Sequence, residues 1–188
     1  MKTKNEKIAI IILATILFSL TSYAQVELYG RFTKDKQTQA DFNIYGEKKI
    51  SEKFVFTYFG MIEQTFAQGY AGVSYSPNKW FSVGLCAGIE QNPALYRMAG
   101  SLWAGKEKNS LLALWEKGDG NENYFYKITF THKFSEHFSL SERAWRFHGE
   151  GVVATYSHPK SGISLWVFPS YDLESKAQRV VTGISIKI

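Results

Sequence analysis

Two side chains in this sequence have the types and spacing for nucleophilic catalysis. His137 and Ser139 stand two positions apart, and on a strand such residues share a face, so a base could reach a hydroxyl. Ser141-Glu142-Arg143-Ala144-Trp145-Arg146 follows directly. The pair sits beside a turn, and the sequence favours an exposed turn histidine over a catalytic one. Metal chemistry has less to work with. His132 and His137 flank that turn, while His148 and His158 stand apart, and no pair has the spacing of a closed site. Gly118-Asp119-Gly120 with Asn121, Glu122 and Asn123 has a few oxygen ligands but lacks the rest of a calcium loop, and reads as a polar hairpin turn. No metal or cofactor is expected. Cys86 is the single cysteine, so no internal disulfide can form.

The remaining chemical signal is a set of charges that keep to one side of alternating stretches: Glu27, Arg31, Glu90, Arg97, Lys127, Arg179 and Lys187. Strands must position them. Phe66 to Gln91 shows the pattern most clearly. It reads as two strands joined by a tight turn at Ser76-Pro77-Asn78-Lys79, with proline fixing φ. After the turn Phe81, Val83, Leu85, Ala87 and Ile89 point one way. Ser82, Gly84, Cys86, Gly88 and Glu90 point the other. Such period-two alternation marks a strand between two different environments.

The front of the chain has a different design. Lys2, Lys4 and Lys7 precede an apolar run from Ile8 to Leu20, and Ser22-Tyr23-Ala24 is a small-x-small cleavage signal. Residues 1–24 are therefore expected to be a cleaved secretory leader, and 25–188 one domain. Cleavage leaves 164 residues with 19 basic and 16 acidic side chains, scattered without a basic stripe, which argues against nucleic acid as a partner.

Beyond the leader no helical periodicity is visible. Twelve short strand candidates run from Val26 to Ile188, joined by short polar connections, with ten as the alternative count. That spacing predicts an all-β, antiparallel, up-and-down arrangement. In the stretch Asn123–Phe134, Tyr124, Tyr126, Ile128 and Phe130 oppose Lys127, Thr129, Thr131 and Lys133. One stretch breaks the rule: Phe138, Leu140 and Ala144 share their parity with Glu142 and Arg146, which predicts a bulge near Glu142-Arg143. A weak repeat links Lys49-Ile50-Ser51-Glu52-Lys53-Phe54 with Lys133-Phe134-Ser135-Glu136-His137-Phe138, and Tyr75-Ser76-Pro77-Asn78-Lys79 with Tyr156-Ser157-His158-Pro159-Lys160. A duplicated six-strand half is one explanation, and convergence of turns on one rim to the same chemistry is slightly the better one.

Alternation alone does not say which face meets water. Twelve strands would enclose more space than side chains fill, so a wet bore lined by the charged faces and a lipid-facing apolar exterior are expected. Tyr75, Trp80, Phe81, Trp103 and Tyr124 lie near turns, where interfacial aromatic girdles form.

In this pattern the chain resembles small bacterial outer-membrane β-barrels of the porin-like kind, with a leader, alternating strands of about ten residues, and strands running to the C-terminus. It departs from them in ending on Ile188 rather than an aromatic residue. The resemblance implies a transmembrane barrel in the bacterial outer membrane, exported by the secretory pathway, with outer-membrane lipid, small polar solutes and the barrel-insertion machinery as partners. Excess inward cations would then favour anions in a small passive channel. A non-conducting structural or adhesive barrel is the alternative. A third reading comes from His137-x-Ser139, which looks faintly like the motif of outer-membrane phospholipase A. The Asn-Gly that should follow the serine is Leu140-Ser141 here, so no catalytic residue is expected.

Overall fold

The computed structural model describes residues 23–33, 38–91 and 95–188. Their strands are β1 (Tyr23–Thr33), β2 (Thr38–Lys49), β3 (Phe54–Glu63), β4 (Ala67–Asn78), β5 (Phe81–Glu90) and β6 (Tyr96–Lys106). Then come β7 (Asn109–Gly118), β8 (Tyr124–Lys133), β9 (Phe138–Trp145), β10 (Gly149–His158), β11 (Ile163–Asp172) and β12 (Ala177–Lys187). Each pairs antiparallel with its sequence neighbours, and β12 returns to β1 in a register running from Gln25–Lys187 to Thr33–Arg179. The barrel is closed with twelve strands, not ten. An even number puts the start of β1 and the end of β12 at one rim, here the terminal rim; the other is the far rim. The expected leader lies outside the described residues except for Tyr23 and Ala24. These open β1, and Ala24 exchanges backbone hydrogen bonds of 3.1 and 2.8 Å with Ile188.

Register assigns the faces. Tyr29, Val153, Phe168 and Val181 are at most 3% exposed and lie inside. Directly paired residues share a face, so their parity can be followed round the ring. Outside stand Leu28, Phe42, Leu85, Phe130, Val152 and Leu165, with Leu85 74% exposed. This is the apolar band a bilayer requires. Tyr75, Phe81 and Tyr124 share the outward parity near strand ends. Trp103 does not: it pairs with Ser82 and Leu112 on the inner face, so it belongs to no external girdle.

Two local expectations change. Ser76 to Asn78 remain in β4, where the register with β5 slips between Tyr75 and Asn78, and the turn is Lys79-Trp80. The Asn78 side chain accepts from the Trp80 amide at 3.1 Å, which holds the shortened turn. The bulge in β9 does not form. Its pairing with β8 and β10 is continuous, so Arg143 faces inward and Glu142 outward. Backbone pairing on both sides outweighs the placement of a single carboxyl group.

The repeated segments build the same turn at the terminal rim. Ser51 Oγ accepts from the amides of Lys53 and Phe54, and Ser135 Oγ from those of His137 and Phe138. In each, the two residues before the turn's centre donate to one phenylalanine carbonyl, Phe54 or Phe138.

Candidate functional site in the bore

All seven charged residues singled out in the sequence project from the inner face. Their surroundings divide the bore into unlike halves.

On the β4–β8 wall, Arg97 lies between two carboxylates. Its Nη1 is 2.5 Å from Glu90 and its Nε 2.8 Å from Glu116. Asn123 accepts from the same guanidinium at 2.9 Å, and Gln68 and Tyr70 both donate to Glu116 at 3.1 Å. Arg97, Glu90 and Glu116 are each no more than 5% exposed. Small inward residues admit this cluster. Gly88 faces Arg97 across the β5–β6 pair, and Gly118 faces it across β6–β7. A side chain on Gly118 would meet Glu90 at 2.4 Å.

The opposite half is aromatic and cationic. Tyr29, Trp145, Val153, Trp166, Phe168 and Val181 form a buried cluster inside the barrel. The sequence had pointed to lipid as the destination of aromatic faces; here six apolar residues share the bore with the charges. The reason is parity, since Trp145 follows Arg143 on one face, and Val181 follows Arg179. Lys127 Nζ lies 4.3 Å from the Trp145 ring centroid. The Arg143 guanidinium lies 5.4 Å from Trp145, 5.7 Å from Trp166 and 5.5 Å from Phe168, and its Nε donates to Thr129. Neither cation forms an ion pair with the described residues. Cations over aromatic faces are stabilised without a carboxylate in contact, and the counter-charge that acts on both is the more distant Glu27.

A turn folds into this half from the far rim. Residues 146–148 join β9 to β10, with Phe147 in the left-handed region at φ 70°. The Phe147 carbonyl accepts from both Arg31 and Arg179, and Arg179 is also held by Asp172 at 2.6 Å. His148 stacks on Trp145 with ring centroids 3.8 Å apart. Arg146 reaches Glu122 at 3.2 Å and Glu174 at 3.6 Å. The far mouth is thus braced by ion pairs around an inserted turn. Sequence reasoning missed it because three residues with an ordinary turn composition carry no sign of the direction in which they fold.

Glu27 is held by Ser185 and Asn43, and Lys187 sits at the terminal rim opposite Gln25. The inner face also carries Asp41, Glu47, Glu63, Glu116 and Asp172, which the sequence reading passed over. The expected excess of inward cations is therefore nearly cancelled in number. What differs is pairing: Arg97 and Arg179 are held in contact ion pairs, whereas Lys127 and Arg143 meet Glu27 only at longer range.

His137 and Ser139 are not brought together as base and nucleophile. The His137 ring contacts the Ser157 carbonyl at 3.0 Å and Glu136 at 3.2 Å, and stacks on Tyr156. Ser139 faces the bore from the inner side of β9. No group of three or more metal-ligating side chains occurs among the described residues.

A closed antiparallel ring of twelve strands with an apolar exterior and a charged bore can be compared with solved structures. The fold is that of the KdgM porin. Superposition gives a TM-score of 0.57 at 12% identity over 86% of this chain and 98% of that one. The same porin in complex with disordered oligogalacturonate gives 0.58 at 12% identity, over 87% of this chain and 98% of that one. No family model matches the chain, and no curated protein sequence does. At this identity the likeness to KdgM is one of architecture, covering nearly the whole of both barrels.

Proposed function

We propose that this chain is a bacterial outer-membrane barrel, exported with loss of residues 1–24, that passes small polar solutes through its bore with a preference for anions. The observation that carries this reading is the Lys127–Arg143 pair: two inward-facing cations that make no ion pair among the described residues and share the longer-range charge of Glu27. Charge without a contact partner in a low-dielectric passage attracts counter-ions from solution more strongly than paired charge does. The KdgM complex with oligogalacturonate supports it by analogy, since that ligand is a chain of sugar acids and the two barrels share a fold. Passage is passive diffusion, with no catalytic step.

Planar-bilayer recording of the refolded chain under a salt gradient tests the proposal. Stepwise currents with a reversal potential on the anion side are expected, and Lys127→Gln with Arg143→Gln should move that potential towards zero. Folded protein that gives no steps refutes the channel. A second reading, a barrel that does not conduct, is favoured by one observation: the buried cluster and the His148 turn fill the same half of the bore. Silence in the bilayer would select it.

A further inference from the structure

Glu142 lies on the outside of the barrel, fifth of the eight residues of β9. Its paired neighbours are Phe130 on β8 and Val152 on β10, which are 46% and 47% exposed. Rows of paired residues run obliquely in a tilted barrel and climb from one rim to the other. In one direction the row through Glu142 descends to Phe81, the first residue of β5 at the terminal rim. In the other it rises to Phe32, next to the far end of β1. Glu142 stands between these ends, at mid-depth. The other charged side chains on the outer face of the described strands are Lys48, Lys106, Lys117 and Glu150, and each lies at a strand end or one residue from it. Glu142 makes no hydrogen bond or ion pair with the described residues.

A carboxyl group in hydrocarbon needs a polar partner, and ionisable residues at that depth mark contacts or function. We propose that the chain pairs with a second copy of itself through the outer face of β8, β9 and β10, with the two Glu142 carboxyl groups facing each other across the axis. Two copies inserted the same way round are related by an axis along the membrane normal. Rotation about that axis preserves depth, so every side chain meets groups at its own level. On this face the polar group at the level of Glu142 is Glu142, and a carboxyl group can both donate to and accept from its twin. Ala144 on the same strand and Ala154 on the next are small, so two barrel walls can approach closely there, as small residues permit between helices in membranes.

The test uses the full chain refolded in lipid vesicles, with Cys86→Ser removing the native thiol from the inner face. A cysteine replaces Val152, beside the proposed axis, or Leu85, on the exposed outer face of β5. On mild oxidation Val152→Cys should cross-link between copies about tenfold faster than Leu85→Cys, the ratio that one membrane hydrogen bond is worth. Adding Glu142→Leu should bring its rate down to the Leu85→Cys level, while Glu142→Gln, which still donates and accepts, should keep it high. Each variant is scored per folded molecule, using the heat-dependent mobility shift of intact barrels. Equal rates at the two positions, or a Val152→Cys rate unchanged by Glu142→Leu, overturn the proposal and leave Glu142 to a different protein or to lipid.

Discussion

Removing Arg97 measures how dry the bore is. Its guanidinium bridges Glu90 and Glu116, with all three side chains almost wholly buried. Arg97→Met leaves two carboxylates facing each other without a cation. Breaking a buried pair in this way costs about 3–5 kcal/mol, whereas a water-bathed pair is worth at most about 1 kcal/mol. With a urea slope of about 2–3 kcal/mol per molar, the first case lowers the unfolding midpoint by about 1–2 M, and the second by less than about 0.5 M. Tryptophan fluorescence of the chain in lipid vesicles reads that midpoint. The triple variant Arg97→Met, Glu90→Gln, Glu116→Gln is expected to recover most of the loss, because no uncompensated charge remains. A drop below about 0.5 M for Arg97→Met alone would refute the description of this wall as packed, and would mean that water reaches the cluster.

Other perturbations bear on the exterior, the strand contacts and the turn. Leu85→Arg puts a cation on the most exposed apolar site of the outer face and should destabilise the inserted barrel by about 2–4 kcal/mol; a loss under about 0.5 kcal/mol would mean that this face does not meet hydrocarbon. Gly88→Ala should cost about 1–3 kcal/mol in the same unfolding assay, since a Cβ there falls 2.0 Å from the Gly69 carbonyl oxygen and must push β4 and β5 apart; unchanged stability would show that the strands are looser than described. Ser139→Ala and His137→Ala should leave any release of fatty acid from phospholipid at the level of the unmodified chain, and a selective loss with Ser139→Ala would revive the hydrolase reading.

The strand number and most of the face assignments were legible because period-two alternation is strict where the two faces differ sharply. β5 and β8 are such strands, and their inward and outward sets were read correctly from sequence. β9 was misread for the opposite reason. Glu142 violates the pattern, and a bulge was the local way to excuse it, but continuous pairing with β8 and β10 kept the register and left the charge outside. The aromatic filling of the bore was also hidden. Trp166 and Phe168 alternate with Leu165, Val167 and Pro169, so the middle of β11 is apolar on both faces and parity has no contrast to show there, while Trp145 shares its face of β9 with Ser139, Ser141 and Arg143, which read as a polar face. The charges of the bore could be placed on a face, but their partners could not. Glu116 reaches Arg97 from the next strand, and Asp172 reaches Arg179 across a hairpin, and only register reveals which of the 35 charged side chains beyond the leader meet.

The joint between the first and last strands has a consequence for how the molecule is made. Every other seam is a hairpin that its own short turn can zip, so it forms as soon as its two strands exist. The β1–β12 seam unites the two extremities of the domain, and until it forms a growing sheet hangs open with two raw, hydrogen-bond-hungry borders. In oil such borders are intolerable. The final stretch from Ala177 to Lys187 is therefore a clasp rather than one stave among twelve, and shortening it by a few residues should be far more damaging than trimming any far-rim loop.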